Sequence, residues 1–305
     1  MTSWTGSNKP LGKIGLVGCG RMGKCMLESM KNAGYEVVAY DKFPAAAEGA
    51  KAMGAEVAAT PAELASRADV ILMSLPGPVQ LEDVVFGEDG LIVSLTSDHV
   101  VIDTSTVDPG TTRSISGRVA EKTGAAYLDC PILGRPSATG KWMLPTGGNP
   151  EALEKVKPVL LTFAANAIPV GDSGAGNALK LLNQLMFSCI NAISSEVMAI
   201  ADHVGISKEV FYSTVASSSA ATVSGLFREV GKSIVNDGFD TPAFTVDLLI
   251  KDAKLGLQMA KDADAPSVIA GTVQMYNEIA HAEGLGNQDT SALYKVFSQH
   301  YQKLS

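Results

Sequence analysis

Residues 13–34 read KIGLVGCGRMGKCMLESMKNAG, and this stretch decides the fold. An apolar run, Ile14 to Val17, meets Gly18-Cys19-Gly20-Arg21-Met22-Gly23, and a helix-like segment follows to Gly34. Glu36 to Tyr40 then reads as a second strand that ends at Asp41. A strand, a glycine turn, a helix and a strand tipped by an acid form a pyrophosphate cradle. Gly18 permits the tight turn, Gly20 lets the backbone approach the diphosphate, and Gly23 lets the helix pack closely on the strand. The N–H groups and dipole at the helix start hold the anion. A lone GxGxxG is weak evidence, but here strand, helix and an acid about 20 residues on complete the context. A carboxylate at Asp41 accepts hydrogen bonds from the ribose hydroxyls of NAD and repels the 2′-phosphate of NADP. Lys42, next in the chain, would soften that repulsion. The expected cofactor is NAD rather than NADP.

Bulk properties narrow the rest. A chain of 305 residues suggests about two domains. Hydrophobic content of 46% and charged content of 18% fit a globular protein with a sizeable core. The net charge of −8 gives no field favouring nucleic acid or an anionic membrane, so an anionic substrate needs a local cationic pocket. Cys19, Cys25, Cys130 and Cys189 make no CxxC and no Cys/His cluster, which points to free thiols in a reducing, cytoplasmic setting and to no metal. Residues 1–11 lack the apolar core of a signal peptide and read as a flexible leader. Leu179 to Ala201 is long and apolar. It is broken by Asn183, Gln184, Asn191, Ser194, Ser195 and Glu196, and so reads as a buried helix rather than a membrane span.

From Lys13 to about Gly171, strand-like runs alternate with helix-like ones. Val70 to Leu75, Val100 to Asp103 and Ala126 to Cys130 are apolar throughout or nearly so, as parallel strands buried on both faces should be. Helices are expected at 44–53, 61–68, 78–86 and 109–123, each opened by proline. Alternation of this kind means a doubly wound parallel sheet, whose ligands lie at the carboxyl ends of the strands. The ends to inspect are Gly18–Gly23, Asp41, Leu75-Pro76, Ser105-Thr106 and 131–135. After the glycine-rich break at 171–176 the strand signal fades. A long helix is expected over 177–204, then further helices at 207–217, 222–236, 244–263, 266–284 and 290–303. The resulting division is a leader 1–11, a Rossmann domain 12–173 and an all-helical domain 174–305.

The long helix carries an unusual stripe. Lys180, Asn183, Gln184, Phe187 and Asn191 share one face, while Leu179, Leu181, Leu182, Leu185, Met186 and Ile190 occupy the others. A helix apolar on most sides is buried. A buried lysine is costly unless paired or used, and burial would draw its pKa down toward the range of a general acid/base. An interdomain lysine paired with a carboxylate, or a helix at the surface on that side, would account for the same pattern.

Six motifs occur in order: IGLVGCGRMGKCM, SLPGP at 74–78, IDTSTVDP at 102–109, DCPILGRPSATGKWML at 129–144, GAGNALKLLNQ at 174–184 and KDAKLGL at 251–257. In these the chain resembles the β-hydroxyacid dehydrogenase family, over nearly its whole length. The resemblance implies a Rossmann domain and a helical domain joined by the long helix, with a nicotinamide and a short hydroxy acid or its semialdehyde held in the cleft. It also implies a homodimer or homotetramer. Lys180 matches the family's catalytic lysine, and Asn183 and Gln184 match the amides that orient substrate. Arg21, Met22, Leu75, Pro76 and Thr106 match cofactor contacts. Lys251 matches a lysine for cofactor or substrate, followed by Asp252. Ser105 would also reach substrate, although Ser-Thr at a strand end is often a helix cap.

One loop departs from the family pattern. Many members read Asp-x-Pro-Val-Ser-Gly-Gly, and the Ser-Gly-Gly binds the substrate carboxylate. Here the sequence is Asp129-Cys130-Pro131-Ile132-Leu133-Gly134-Arg135, and the segment before Gly140 is shorter. A guanidinium presents a planar donor fork suited to a carboxylate, sulfonate or phosphate. Gly134-Arg135 resembles the sulfolactaldehyde reductase branch, and Arg135 is expected to anchor the substrate's anionic group. A surface arginine in a remodelled loop is the plain alternative. Imine reductases share a similar fold but generally lack the lysine, and 6-phosphogluconate dehydrogenase is much longer. A non-catalytic dinucleotide-binding module tends to lose Lys180.

Overall fold

The alternating runs form one mostly parallel sheet. In the computed structural model, which describes residues 12–302, β1 (Ile14–Val17) leads into α1 (Arg21–Asn32), β2 (Val37–Tyr40), α2 (Pro44–Ala52) and the short β3 (Glu56–Val57). Then come α3 (Pro61–Ser66), β4 (Val70–Met73), α4 (Pro78–Phe86), β5 (Val100–Asp103), α5 (Pro109–Thr123) and β6 (Ala126–Asp129). The expected leader, 1–11, lies outside the described residues. Every residue of β1, β4, β5 and β6 is buried, between one apolar cluster on each face of the sheet. This double burial explains why those strands read as unbroken apolar runs. Helices α2 to α5 each begin at proline, and Thr60 and Asp108 cap α3 and α5 with side-chain oxygens.

The strand order is β3-β2-β1-β4-β5-β6, continued by β7 (Trp142–Gly147) and β8 (Ala164–Gly171), with α6 (Pro150–Leu160) between these two. Strands β1 to β6 are parallel to their neighbours, β7 is antiparallel to β6, and β8 is parallel to β7. The chain moves outward from β1 in both directions, so the switch point lies between β1 and β4, where a ligand crevice is expected. The pairs β7 and β8 were not foreseen as strands, because Pro145 and Pro169 interrupt their runs.

The chain divides into two compact units between Lys180 and Leu181. The division falls within α7 (Ala175–His203). The second unit is helical: α8 (Lys208–Ser217), α9 (Gly225–Val235), α10 (Val246–Asp262), α11 (Val268–Ala282) and α12 (Leu293–Gln302). Its core gathers Met198, Val230, Ile234, Phe239, Val246 and Leu293.

Helix α7 corrects one expectation in part. It buries Leu181, Ala192 and Met198, but another apolar stripe stays outside: Leu182 and Met186 are 60% and 58% exposed, and Ile193 and Ile200 are exposed as well. The positions it buries include Gln184, Ser188, Asn191, Ser194 and Ser195. Gln184 donates to Asp252 at 2.7 Å, Ser188 accepts from Asn277 at 2.9 Å, and Asn191 donates to the Thr290 carbonyl at 2.9 Å. Paired in this way, Gln184, Ser188 and the Asn191 amide nitrogen enter an interior without the penalty of a lost hydrogen bond, while Asn191 Oδ1 and Ser195 Oγ are buried without a partner among the described residues. By length and composition α7 would be long and apolar enough to cross a membrane. Its buried polar network is that of a helix packed within a domain.

The start of α7 is anchored in the first unit. The buried Asp129, at the end of β6, accepts the Gly174 N–H at 2.8 Å and the Asn177 N–H at 2.9 Å. Burial pushes its carboxyl above the ordinary range, and the donated N–H groups oppose that rise. Asn177 in turn accepts from Val107 N–H and donates to Thr112 Oγ1. Gly176 has no room for a side chain, since a Cβ would come within 2.5 Å of the Asp129 and Pro145 carbonyls. Asp129→Ala should therefore lower unfolding free energy by roughly 1–3 kcal/mol in urea melts, the usual range for a lost cap with buried donors left unmet. A loss below about 0.5 kcal/mol, the scale of ordinary surface substitutions, would show that this anchor is dispensable.

Candidate active site

The glycine turn has the shape a dinucleotide needs. Gly18 lies at φ +91°, and a Cβ there would come within 2.2 Å of the Ser74 carbonyl. A Cβ at Gly23 would come within 2.0 Å of the Gly18 carbonyl, so both glycines serve close packing of the chain on itself. Gly20 differs: a Cβ there would meet nothing within 4 Å, and the backbone borders open space. Gly20 caps α1 without a side-chain bond, and the first turn of α1 carries no acid. Its leading N–H groups are thus suited to an anion. Arg21 and Met22 open that turn, exposed and half-buried respectively.

Asp41 stands over this turn at the tip of β2. Its carboxylate accepts the Cys19 N–H at 2.7 Å and the Phe43 N–H at 2.9 Å. Burial, followed by the nearby Asp41 charge, pushes the Cys19 thiol up to about 12, so it stays protonated. Lys42 reaches Asp83 at 3.4 Å across an exposed pair. An uncapped helix start, open space at Gly20 and a fixed carboxylate fit a dinucleotide's diphosphate and ribose.

At the ends of β4 and β5, Ser105 is buried and its Oγ accepts the Leu75 N–H at 2.9 Å. This bond ties the Leu75-Pro76 loop to the sheet, which is the position the structure gives Ser105. Its own N–H is held by Asp103 Oδ1 at 2.9 Å, and Tyr127 donates to Asp103 Oδ2 at 3.0 Å. Burial raises the Asp103 carboxyl to about 6 against the opposing effect of these bonds. Thr106 is half-buried beside them.

Beyond β6, the Lys180 ammonium donates to the Ile132 carbonyl at 3.0 Å. Lys180 is half-buried rather than buried, so the cost of desolvating it is smaller than the sequence pattern suggested. Leu133 pairs with Met143 through both backbone bonds, and Gly134 and Arg135 follow, exposed and half-buried. The first unit therefore brings Gly18 to Gly23, Asp41, Leu75, Pro76, Ser105, Thr106, Leu133 to Arg135 and Lys180 to the carboxyl edge of one sheet.

The second unit holds the remaining candidates as a chain of bonds. Asn183 donates to Gln184 Oε1 at 3.3 Å, Gln184 donates to Asp252 Oδ2 at 2.7 Å, and Lys251 pairs with Asp252 Oδ1 at 3.0 Å. Gln184 and Asp252 are 5% and 4% exposed. Asn183 and Lys251 are half-buried, and so are the accessible ends of the chain. Asp252 is thereby placed as the hub between Gln184 and Lys251. Asn177, which anchors α7, was missed, although it lies inside the GAGNALKLLNQ motif.

Comparison with known proteins finds relatives over nearly the whole chain. Residues 13–171 match the model of the NAD binding domain of 6-phosphogluconate dehydrogenase. Residues 174–297 match the NAD-binding domain of NADP-dependent 3-hydroxyisobutyrate dehydrogenase. The chain is 30% identical to 2-(hydroxymethyl)glutarate dehydrogenase of Eubacterium barkeri, over 94% of this chain and 95% of that one. It is 31% identical to 3-sulfolactaldehyde reductase of Escherichia coli strain K12, over 92% and 94%. A solved structure of 3-hydroxyisobutyrate dehydrogenase from Salmonella typhimurium superposes with a TM-score of 0.85 at 28% identity, covering 94% of this chain and 100% of that one.

The glycines separate packing from binding. Gly23→Ala should lower stability by about 1–3 kcal/mol, as overpacking does, because the Gly18 carbonyl must move. Gly20→Ala should cost about 1 kcal/mol or less in stability yet weaken dinucleotide binding at least tenfold, about 1.4 kcal/mol. Urea melts and calorimetric titration with NAD measure both. A Gly20→Ala variant that binds NAD like the parent would mean the diphosphate lies elsewhere.

Proposed function

The chain belongs to the β-hydroxyacid dehydrogenase family and is an oxidoreductase, and from that premise we propose that it moves a hydride between NAD(H) and a short anionic β-hydroxy acid or its semialdehyde. The observation that carries the reading is the Lys180 ammonium on the Ile132 carbonyl, at the sheet edge that also bears the glycine cradle. Bound NAD supplies the hydride chemistry. Gly18 to Gly23 and the first turn of α1 hold the diphosphate, Asp41 accepts from the ribose hydroxyls, and Leu75, Pro76 and Thr106 border the nicotinamide end. Asp41 supports NAD over NADP.

Lys180 is the proton carrier. In oxidation its neutral amine takes the hydroxyl proton as the hydride leaves the same carbon. In reduction its ammonium returns that proton to the carbonyl oxygen. The Ile132 carbonyl orients the group, so the amine does not search for its position at each turnover. Asn183 is the amide that orients substrate, while Gln184 and Asp252 hold it and Lys251 in place. Arg135 binds the anionic end, and Leu133 and Gly134 line the approach. The relatives named for 2-(hydroxymethyl)glutarate and 3-sulfolactaldehyde define a carboxylate and a sulfonate to test. In this reading 12–173 is the cofactor domain, 174–305 serves substrate and assembly, and the free cysteines suit a cytoplasmic setting.

A panel of hydroxy acids and aldehydes, carboxylated and sulfonated, read at the nicotinamide absorbance with NAD and NADP, tests the whole reading. Lys180→Ala should lower kcat about 10²–10⁴-fold, the usual worth of a general acid/base, with NAD affinity unchanged. Arg135→Ala should raise KM for anionic substrates about tenfold or more, as expected for losing hydrogen bonds to a charged group. Tight NAD binding without turnover of any substrate would make the chain a binding module.

We also propose that the protein is a homo-oligomer, a dimer or tetramer. Leu182, Met186, Ile193 and Ile200 form an exposed apolar stripe on α7, and Val268, Ile269 and Met275 are exposed on α11. Apolar surface of this kind marks an association site. Size-exclusion chromatography with light scattering should show an oligomer that Met186→Glu with Ile193→Glu converts to monomer. A parent protein that is already monomeric overturns this.

A further inference from the structure

The segment Ile132–Arg135 is held at each of its four positions, and one holder is a side chain to which neither the cradle nor the proton carrier assigns a role. The Ile132 carbonyl accepts from Lys180 at 3.0 Å. Leu133 exchanges both backbone bonds with Met143, at 2.9 and 3.2 Å. Gly134 lies against the Trp142 ring so closely that a Cβ would come within 2.2 Å of Cδ1, which is why glycine stands there. The Arg135 carbonyl accepts from the Trp142 indole N–H at 2.7 Å and from the Ala138 N–H at 2.9 Å. Trp142 itself is fully buried and packs against Phe163, with ring centroids 6.1 Å apart.

Packing alone does not require an indole here. Phe163 and the rest of the cluster need an apolar ring of that size, but the N–H is a separate feature, aimed at the one carbonyl whose residue carries the guanidinium. A buried donor of this kind must be met, and meeting it fixes the acceptor. The two ends of the segment are therefore pinned by side chains, Lys180 at Ile132 and Trp142 at Arg135, with only Leu133 and Gly134 between.

We propose that Trp142 is a positioning residue: its indole N–H holds the Arg135 backbone at a set distance from the Lys180 ammonium, so that an anion on Arg135 presents its reacting carbon to Lys180. The proposal rests on the reading that Arg135 anchors the substrate's anionic group. It makes Trp142 a determinant of substrate length as well as affinity, because a released Arg135 backbone would let the anchor drift relative to the proton carrier.

Trp142→Phe keeps a buried ring and deletes the N–H. Its KM for the best anionic substrate should rise roughly three- to tenfold, the worth of one buried hydrogen bond, with KM for NAD unchanged within about twofold. The preference between substrates differing by one methylene between anion and hydroxyl should narrow. In an Arg135→Ala background the same change should move KM by less than about twofold, since the two residues act as one unit. Replacement of Trp142 by benzothienylalanine, which exchanges N–H for sulfur in a ring of the same shape, should reproduce the kinetic effect with a near-parental Tm. That variant decides the matter should phenylalanine leave a cavity that unfolds the protein. A parental KM and length preference in the benzothienylalanine protein, or an equal rise with and without Arg135, overturns the proposal. A parental KM for Arg135→Ala alone would instead overturn the anion-anchor reading.

Discussion

The carboxylate of Asp129 is the constraint on which the rest of the first unit's chemistry depends. It sits at the last residue of β6 and accepts the N–H groups of Gly174 and Asn177. Those bonds fix where α7 begins and its rotation about its own axis. Lys180 follows within two turns of that cap, so its side chain emerges at an angle set by the cap. The same strand continues as the Ile132–Arg135 segment, which receives the Lys180 ammonium. One buried acid thus ties the helix that carries Lys180, the proposed proton carrier, to the strand whose continuation accepts its ammonium. Burial raises the proton affinity of this acid, and the donated backbone N–H groups act against that rise, which keeps a carboxylate useful as a cap in an apolar place.

Much of this was legible in the sequence where a residue type answers a backbone need. Gly18 and Gly23, the proline-led helices and the apolar strands are local signals, and the structure uses them as read. The failures have physical causes. Strands β7 and β8 contain prolines, and only their places at the far side of the sheet, next to an antiparallel step, make those prolines tolerable. The roles of Gln184 and Asn191 depend on partners at 252 and 290, and no spacing rule links residues so far apart. Trp142 carries no local signal, because its meaning lies in one N–H and in a glycine that lies beneath its ring.

The inversion of α7 follows from the same limit. A helical pattern shows which residues share a face, but it does not say which face goes inside. Hydropathy favours burying Leu182 and Met186. The second unit instead buries Gln184, Ser188 and Asn191, because α10, α11 and the turn at Thr290 offer them partners. Once those bonds are made, the polar face is the costly one to expose, since pulling it out would strand Asp252 and Asn277 in the interior. The apolar stripe is then left on the surface as a consequence of the polar network.

A division of labour emerges between backbone and side chains. The proposed diphosphate and ribose site is made mostly of backbone: glycines without Cβ atoms, helix-leading N–H groups, and the Asp41 side chain, itself held by two backbone N–H groups. The proposed substrate contacts are the reverse. The carbonyls of Ile132, Leu133 and Arg135 are committed to Lys180, Met143 and Trp142, leaving the side chains at 133 and 135 as the variable parts. A change at Arg135 alters the charge of this segment without loosening the glycine turn, which lies on another strand. A change at Gly134 or Trp142 moves the segment itself, and with it the proposed geometry between Arg135 and Lys180. In the proposed assignment, substrate choice and cofactor binding are separable because the first rests on side chains over a fixed backbone and the second mostly on backbone, with Asp41 as its charged side chain.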